Sequence, residues 1–429
     1  MRERLSSRLG FLMLAAGCAV GLGNVWRFPF VVGRNGGAAF VLVYLLFLAV
    51  LGYPLLAAEL AIGRAAKKGI SSALPELAKT HNSVWRVLGY LIFAGNFLLM
   101  FYYTDVAGWL IKYSRDYVTG VPGEFEALVA DKECCTLYLL STIALATITC
   151  FIGVVKGVER VTKVLMLFLL ALLGMLAVKA LTLDGAAEGL KFYLYPDWSK
   201  FMAHPWKSIS EAMGQAFFTL SVGVGCMTIF GSYSTSRHTI MKDAAWIVVI
   251  DTLVAFISGL VIFPACLTYG VEPSSGPGLI FKALPEVFLQ MNGGRLWGFL
   301  FFLFLAFAAL TTVIAVFECM IGGICDIVKS PKISRRVVSI MVGACVFIAS
   351  IPCVLWDGVL EFEDFVLSEL WLPIGSLAIC LFVSWNFGWG WNKFRHEVSD
   401  GNGFALPHAL KLIYRLLIPV LIATILARI

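Results

Sequence analysis

The chain reads as an all-α, polytopic membrane protein of about eleven transmembrane helices, and three observations predict this. Of its 429 residues 60% are hydrophobic and only 14% charged, with a mean hydropathy of +0.87. A soluble chain of this length carries about 25% charge, so a cytosolic enzyme and a disordered scaffold are both excluded. The apolar residues are spread along the chain in runs of about 20, the length that crosses a bilayer as a helix. Finally, the first and sixth runs are interrupted by glycines at matching places.

Runs bounded by Gly, Pro and charge place the spans at 9–31, 38–62, 87–118, 134–154, 161–183, 208–231, 241–268, 295–325, 334–355, 365–388 and 405–428. The first run begins at Leu9 and continues into a glycine-rich stretch, so it reads as a span rather than a cleaved signal. Bases fall in every second loop: Arg2, Arg4 and Arg8; Arg64, Lys67, Lys68, Lys79 and Arg86; Lys156, Arg160 and Lys163; Lys329, Lys332, Arg335 and Arg336. The opposite loops are poorer in base or acidic, as at Asp357, Glu361, Glu363 and Asp364. This asymmetry predicts a cytoplasmic amino terminus and an external carboxyl terminus. The chain has no Asn-x-Ser/Thr sequence, which fits a multi-pass protein of a bacterial inner membrane. Bases distributed by loop, rather than clustered on one surface, argue against nucleic acid as the partner of a net charge of +6.

The connections 184–207 and 270–294 combine Pro with large apolar residues and are expected to form short helices capping the outer face. Most of the 11 cysteines lie inside apolar runs (Cys18, Cys150, Cys226, Cys266, Cys319, Cys345, Cys380) and read as small apolar residues. Cys134 and Cys135 fall near the outer end of a span, where a disulfide is open but not indicated. No C-x-x-C or H-x-x-x-H pattern occurs, which argues against a thiolate or imidazole metal centre.

The first span contains Gly17, Gly21 and Gly23, and the sixth contains Gly223 and Gly225; both carry Val-Gly-x-Gly, at Val20–Gly23 and Val222–Gly225. Close helix packing is one use of such glycines. Two clusters five spans apart instead mark corresponding positions of two five-helix halves, as in an inverted-repeat transporter whose unwound backbone faces a cavity. The expected division of a single transmembrane domain, 1–429, is a first repeat over 9–183, a second over 208–388 and an extra helix at 405–428. The binding site is expected between the two breaks.

The stretch Arg8-Leu-Gly-Phe-Leu-Met-Leu-Ala-Ala-Gly-Cys-Ala-Val-Gly-Leu-Gly-Asn-Val-Trp-Arg-Phe-Pro29, followed by Asn35-Gly-Gly-Ala-Ala-Phe40, resembles the first-helix signature of the neurotransmitter:sodium symporter family, amino-acid-transporting bacterial branch. The resemblance continues through Gln215–Gly225, Asp251–Pro264 and Ala309–Ala315, and so covers nearly the whole chain in order. It implies the leucine-transporter fold with broken helices 1 and 6. It also implies symport of an amino acid into the cell with two sodium ions, by alternating access. A sodium-dependent amino-acid sensor on the same fold stays open. A membrane-embedded enzyme would need a nucleophile with a base, or a metal cluster, and a channel would need a continuous polar pore; neither pattern is present.

In this family free amides at one half-helix end attract the substrate carboxylate, and free carbonyls at the other end bind sodium. Carried onto this chain, the resemblance implies a first sodium site from the Ala19 carbonyl, Asn24, Thr219 and Asp251, completed by the substrate carboxylate. The second would use the carbonyls of Gly17, Val20 and Ala308 with the hydroxyls of Thr311 and Thr312. An isolated helix threonine more often bonds back to its own carbonyls. The substrate would sit among Ala19, Gly21, Leu22, Gly23, Leu99, Tyr103, Phe218, Thr219, Ser221, Val224, Thr312 and Val316. Monoamine-carrying relatives place Asp where this chain has Gly21, so the substrate is expected to bring its own carboxylate. The side-chain pocket holds no Lys, Arg, Asp or Glu, which favours a hydrophobic amino acid, bulky or aromatic.

An acid within an apolar span is a functional residue by default. Many animal members carry Asn where this chain has Asp251 and require chloride as a counter-anion; a fixed carboxylate implies transport without chloride, with Asp251 a candidate proton carrier on the return step. The resemblance also implies an outer gate of Arg27 with Asp364, closed over by Phe218 and Tyr103, and an inner gate of Arg2 with Asp326, with Tyr233 and Glu318 nearby. Arg2 is equally readable as a topology determinant, since Leu5 replaces the family's neighbouring Trp. Glu318 departs from the Gln of bacterial members and is a candidate titrating group. Asp105 has no family role, and Glu59 reads as structural.

Overall fold

The computed structural model describes residues 5–78, 83–234, 237–271, 278–328 and 333–427. Among these residues nine helices are long and apolar enough to cross a membrane: Ala38–Ala66, Val84–Thr119, Lys132–Ile152, Val154–Leu181, Ile240–Thr268, Gly294–Val328, Arg335–Leu355, Val359–Ser384 and His408–Leu426. A tenth span is the bent pair Arg8–Ala19 and Gly23–Arg34, which turns by 55° at its break. The expected sixth span is divided into Pro205–Thr219 and Cys226–Tyr233, of 15 and 8 residues. At 1.5 Å per residue neither piece alone reaches across about 30 Å of hydrocarbon, so this span exists only as a joined pair. The fold class is therefore the one expected, all-helical with breaks in spans one and six.

Local chemistry explains how apolar helices run through proline. Five wide i→i+5 turns, Gly23–Arg27, Leu48–Gly52, Leu279–Ala283, Val366–Trp371 and Ile413–Leu417, are each followed two residues on by a proline: Pro29, Pro54, Pro285, Pro373 and Pro419. Proline has no N–H and its ring crowds the carbonyl four residues back; a locally widened helix relieves both. Several starts are capped by side chains. Ser7 accepts from the Gly10 amide at 3.0 Å, Asp131 from Cys134 at 3.0 Å, and Thr239 from Lys242 at 3.3 Å.

Burial grades the spans. In Gly294–Val328, 72% of the apolar window is buried, against 22% in His408–Leu426, so the eighth span is the central post and the eleventh is peripheral. Two span starts lie earlier than expected, at Val154 rather than 161 and at Val359 rather than 365. Glu159 can sit within the earlier turn because the Ser6 amide donates to its Oε2 at 2.8 Å and the Ser6 hydroxyl to its Oε1 at 2.5 Å.

The connection 184–207 does form short helices, Ala186–Leu194 and Trp198–Ala203, and 278–290 forms Leu279–Ala283 and Leu284–Gln290. The first of these connections is pinned to the end of span one. The Asp197 amide donates to the Gly36 carbonyl at 3.1 Å, and a Cβ on Gly36 (φ +90°) would lie 2.4 Å from the Asp197 carbonyl. Only glycine fits this approach, which accounts for the Asn35-Gly-Gly sequence. Three further short helices, Ile70–Ala78, Phe125–Ala130 and Trp391–Ser399, were not expected from hydropathy. All eleven cysteines, Cys134 and Cys135 included, are free thiols.

Candidate binding site at two broken helices

The first break follows Ala19, where Val20 adopts φ −68°, ψ +102° and leaves the helix. The second follows Thr219: Ser221 (φ +50°), Gly223 (φ +99°) and Gly225 (φ +75°) carry the chain through conformations that glycine adopts most readily. A Cβ on Gly223 would meet the Leu372 carbonyl at 2.3 Å. The freed groups of both breaks find partners within the protein, as a bilayer requires. The Leu22 amide donates to the Tyr103 hydroxyl at 3.2 Å, the Gly21 amide to Asn24 Oδ1 at 3.0 Å, and the Ser221 hydroxyl to the Cys18 carbonyl at 3.3 Å. Gln215 Nε2 donates to the Gly23 carbonyl at 2.9 Å, and Asn96 Nδ2 to the Val224 carbonyl at 2.8 Å.

Glu59, fully buried in span two, holds the restart of span six: its Oε1 accepts from the Gly223 amide at 2.6 Å and its Oε2 from Met227 at 3.2 Å. A carboxylate is the natural partner for amides left free at a helix amino end. Both Glu59 and Asn96 were detectable in the sequence as polar residues inside apolar runs, but their partners were not.

Two groups of oxygens gather beside the breaks. In the first, Asn24 Nδ2 donates to Thr219 Oγ1 (3.1 Å), the Asp251 carbonyl (3.1 Å) and Asp251 Oδ1 (2.7 Å), and the Thr219 hydroxyl donates to Asp251 Oδ2 at 2.9 Å. Asn24, Thr219 and Asp251 are all fully buried, and Ala19 ends the half-helix beside them. In the second, the Thr312 hydroxyl stands 3.3 to 3.5 Å from the carbonyls of Gly17, Cys18, Val20 and Ala308, while Thr311 donates to Ala308 at 2.9 Å. One hydroxyl proton cannot serve four carbonyls. Both groups offer converging hard oxygens in excess of donors.

Between the breaks lies a cavity of about 30 Å³, room for one water, walled by Cys18, Ala19, Gly21, Leu22, Gly23, Leu99, Tyr103, Phe218, Ser221, Val224, Thr312, Leu367 and Leu372. Ten of the twelve expected substrate residues line it. The other two lie outside its wall. Thr219 turns its hydroxyl away to Asp251, and Val316, one helical turn past Thr312, is buried in packing. Cys18, Leu367 and Leu372 are additions; the two leucines come from span ten, where an apolar residue in an apolar run carries no signal.

Above Tyr103, Leu22 and Phe218, which it shares with the small cavity, opens a vestibule of about 420 Å³. Its walls include Arg27, Tyr102, Asp364 and Glu369. The expected Arg27–Asp364 pair is not formed. Arg27 pairs with Glu369 Oε1 at 3.4 Å and lies 4.7 Å over the Phe218 ring, while Asp364 Oδ1 accepts from the hydroxyls of Tyr102 (2.9 Å) and Ser368 (3.1 Å).

On the opposite side Glu318 is fully buried; Tyr233 donates to its Oε1, and Arg335 donates to both its oxygens, at 3.1 Å to Oε1. Glu318 and Tyr233 stand out in the sequence, whereas Arg335 there reads as a loop base. Asp326 Oδ2 accepts from the Gly69 amide at 2.7 Å. Arg2, its expected partner, lies outside the described residues.

The model of the Sodium:neurotransmitter symporter family matches residues 2–136 and 125–429. The chain is 36% identical over 398 residues to an uncharacterized sodium-dependent transporter of Bacillus subtilis, covering 88% of this chain and 86% of that one. It is 30% identical over 410 residues to a sodium-dependent transporter of Haemophilus influenzae, covering 89% of each. The crystal structure of MhsT in complex with L-phenylalanine superposes with a TM-score of 0.88 at 35% identity, over 100% of this chain and 99% of that one.

Proposed function

The chain belongs to the sodium:neurotransmitter symporter family, and from that premise we propose that it carries a hydrophobic amino acid across the membrane with two sodium ions and without chloride. It is a multi-pass membrane transporter and not an enzyme; the rest of this reading concerns its cargo and coupling. The observation that carries it is the convergence of Thr219 Oγ1 and two Asp251 oxygens on a single amide nitrogen, that of Asn24. Turning that amide over would put Asn24 Oδ1 at the same point and leave an all-oxygen, anionic cradle for a small hard cation. The Thr312 cluster supplies a second, neutral cradle from carbonyls, and Thr311 extends it.

The substrate reading rests on the cavity wall, which bears no charged side chain. A charged amino acid would therefore bury an unpaired charge. Gly21 presents no side chain, and the Gly21 and Leu22 amides, now held by Asn24 and Tyr103, are donors for a carboxylate once those partners shift. Asp251 is a fixed negative charge beside the first cradle and makes a bound counter-anion unnecessary. The related MhsT structure, which holds L-phenylalanine, supports a bulky apolar cargo.

In the cycle, sodium favours the state with the vestibule open, substrate completes the first cradle, and only the loaded form closes Phe218 and Tyr103 and releases the Glu318 latch on the far side. The repeats at 9–183 and 208–388, the extra helix at 405–428, the cytoplasmic amino terminus and a bacterial inner-membrane location belong to the same proposal, supported by the paired breaks and the basic loops. The test is uptake by proteoliposomes under a sodium gradient, screened over the twenty amino acids, with chloride replaced by gluconate. Sodium-dependent uptake of apolar amino acids in gluconate is expected; a strict chloride requirement, or no sodium-dependent cargo, overturns it.

A further inference from the structure

Six acids are buried among the described residues: Glu59, Asp105, Glu159, Asp243, Asp251 and Glu318. Five have hydrogen-bond partners: Glu59 the amides of Gly223 and Met227, Glu159 Ser6, Asp243 Arg8, Asp251 Asn24 and Thr219, and Glu318 Arg335 with Tyr233. Asp105 is the exception. It is 1% exposed, lies in Val84–Thr119, and neither of its carboxylate oxygens has a hydrogen-bond partner.

The titratable groups within electrostatic reach come from three neighbouring elements. Lys132 and Cys135 belong to Lys132–Ile152 and Cys353 to Arg335–Leu355, while Glu361 and Glu363 of Val359–Ser384 lie within reach of Cys353. On its own helix Trp109, one turn on, is buried with an unpartnered indole N–H. The polar neighbours are committed elsewhere. Lys132 reaches Asp357 at 3.7 Å, the Cys135 thiol donates to the Leu128 carbonyl at 3.3 Å, and the Cys353 thiol donates to Glu363 Oε2 at 3.0 Å. A carboxylate with neither a donor nor a contacting cation is too costly to keep ionised in such surroundings, so the group carries a proton.

We infer that Asp105 is a proton-carrying site of the transport cycle, loaded in this conformation and releasing its proton to water when the helices around it move. The inference deepens the transport reading and rests on it. Its location ties it to the moving parts: Tyr102 and Tyr103 directly precede Thr104 and Asp105. The Tyr103 hydroxyl accepts from the Leu22 amide at the first break, and Tyr102 donates to Asp364 in the vestibule wall, next to Glu363. Closure over the substrate has to move these contacts. In the exchange the Asp105 O–H bond breaks, the proton passes to a water molecule, and no electrons are transferred.

Two measurements test this on the full-length protein in liposomes. Infrared difference spectra of wild type against Asp105→Asn are expected to contain the carbonyl stretch of a protonated carboxylic acid that the variant lacks; no such band overturns the proposal. Sodium-driven uptake of L-phenylalanine by wild type is expected to change severalfold between about pH 6 and pH 8, with a flattened profile in Asp105→Asn. Superimposable profiles also overturn it. Asp105→Leu, which substitutes an apolar side chain in an apolar setting, serves both comparisons if the Asn variant does not fold. A wild type with no sodium-driven uptake of any amino acid refutes the transport reading instead, and the infrared band then decides the protonation of Asp105 by itself.

Discussion

Asn24 donates to Asp251 at 2.7 Å through the same amide nitrogen that reaches Thr219, so residues from spans one, six and seven meet at one atom. The link joins the first break to the second and to the buried carboxylate of Asp251. Asn24→Ala removes this nitrogen and the oxygen behind it, leaving Thr219 still bonded to Asp251. The expected result is a rise of about tenfold or more in the sodium concentration for half-maximal substrate binding, equivalent to about 1.4 kcal/mol, with little change in thermal stability. Scintillation-proximity binding across a sodium series checks it; an unshifted curve rejects the first cradle.

Glu59 predicts a graded series. Glu59→Ala strands the Gly223 and Met227 amides in a buried setting at about 1–3 kcal/mol each, whereas Glu59→Gln keeps one acceptor and loses mainly the charge. The expected order of melting temperatures is wild type, then Gln, then Ala, with substrate binding falling in step because the second break loses its anchor.

Half-buried Arg335 neutralises the fully buried Glu318, so removing the arginine alone is costly where removing both is not. Arg335→Ala is expected to cost about 3–5 kcal/mol of the latched arrangement, and Arg335→Met with Glu318→Met to recover most of it. Thiol labelling at a cysteine introduced on the Glu318 side reads the change as faster modification in the single variant. Equal rates in all three proteins would show that the pair is no latch.

Asp197 gives the pH dependence of the pinned connection. Its carboxyl is held below the usual range by the Ser199 hydroxyl and the Lys200 amide. A depressed folded-state pKa means that the stabilisation is fully present above the unfolded value of about 3.9 and is lost as the pH falls through the lower folded value. Acidification is therefore expected to loosen Trp198–Ala203 against Gly36, seen as faster amide exchange at Lys200. Asp197→Asn should remove that pH dependence.

Much of this protein was legible as pattern. Hydropathy located ten of the eleven spans, two of them with starts six or seven residues too late, and the doubled Val-Gly-x-Gly located both breaks, because a missing Cβ is a local property written directly in the chain. The cavity residues Gly21, Tyr103 and Phe218 followed from the family resemblance. What hydropathy could not reach were the short helices Ile70–Ala78, Phe125–Ala130 and Trp391–Ser399, which at six to nine residues are too short to register as spans.

The sequence by itself determined that the chain is a bundle of membrane helices with two interrupted members, since burial in hydrocarbon depends on composition over about 20 residues and unwinding depends on glycine. Only the tertiary structure decided the pairings. Arg27 meets Glu369 and not Asp364, Glu318 meets Arg335, Glu59 anchors span six, and Asp105 alone among the buried acids of the described residues is left without a hydrogen-bond partner. Each depends on which side chains converge from distant helices. That is a property of packing, to which no local stretch of sequence has access.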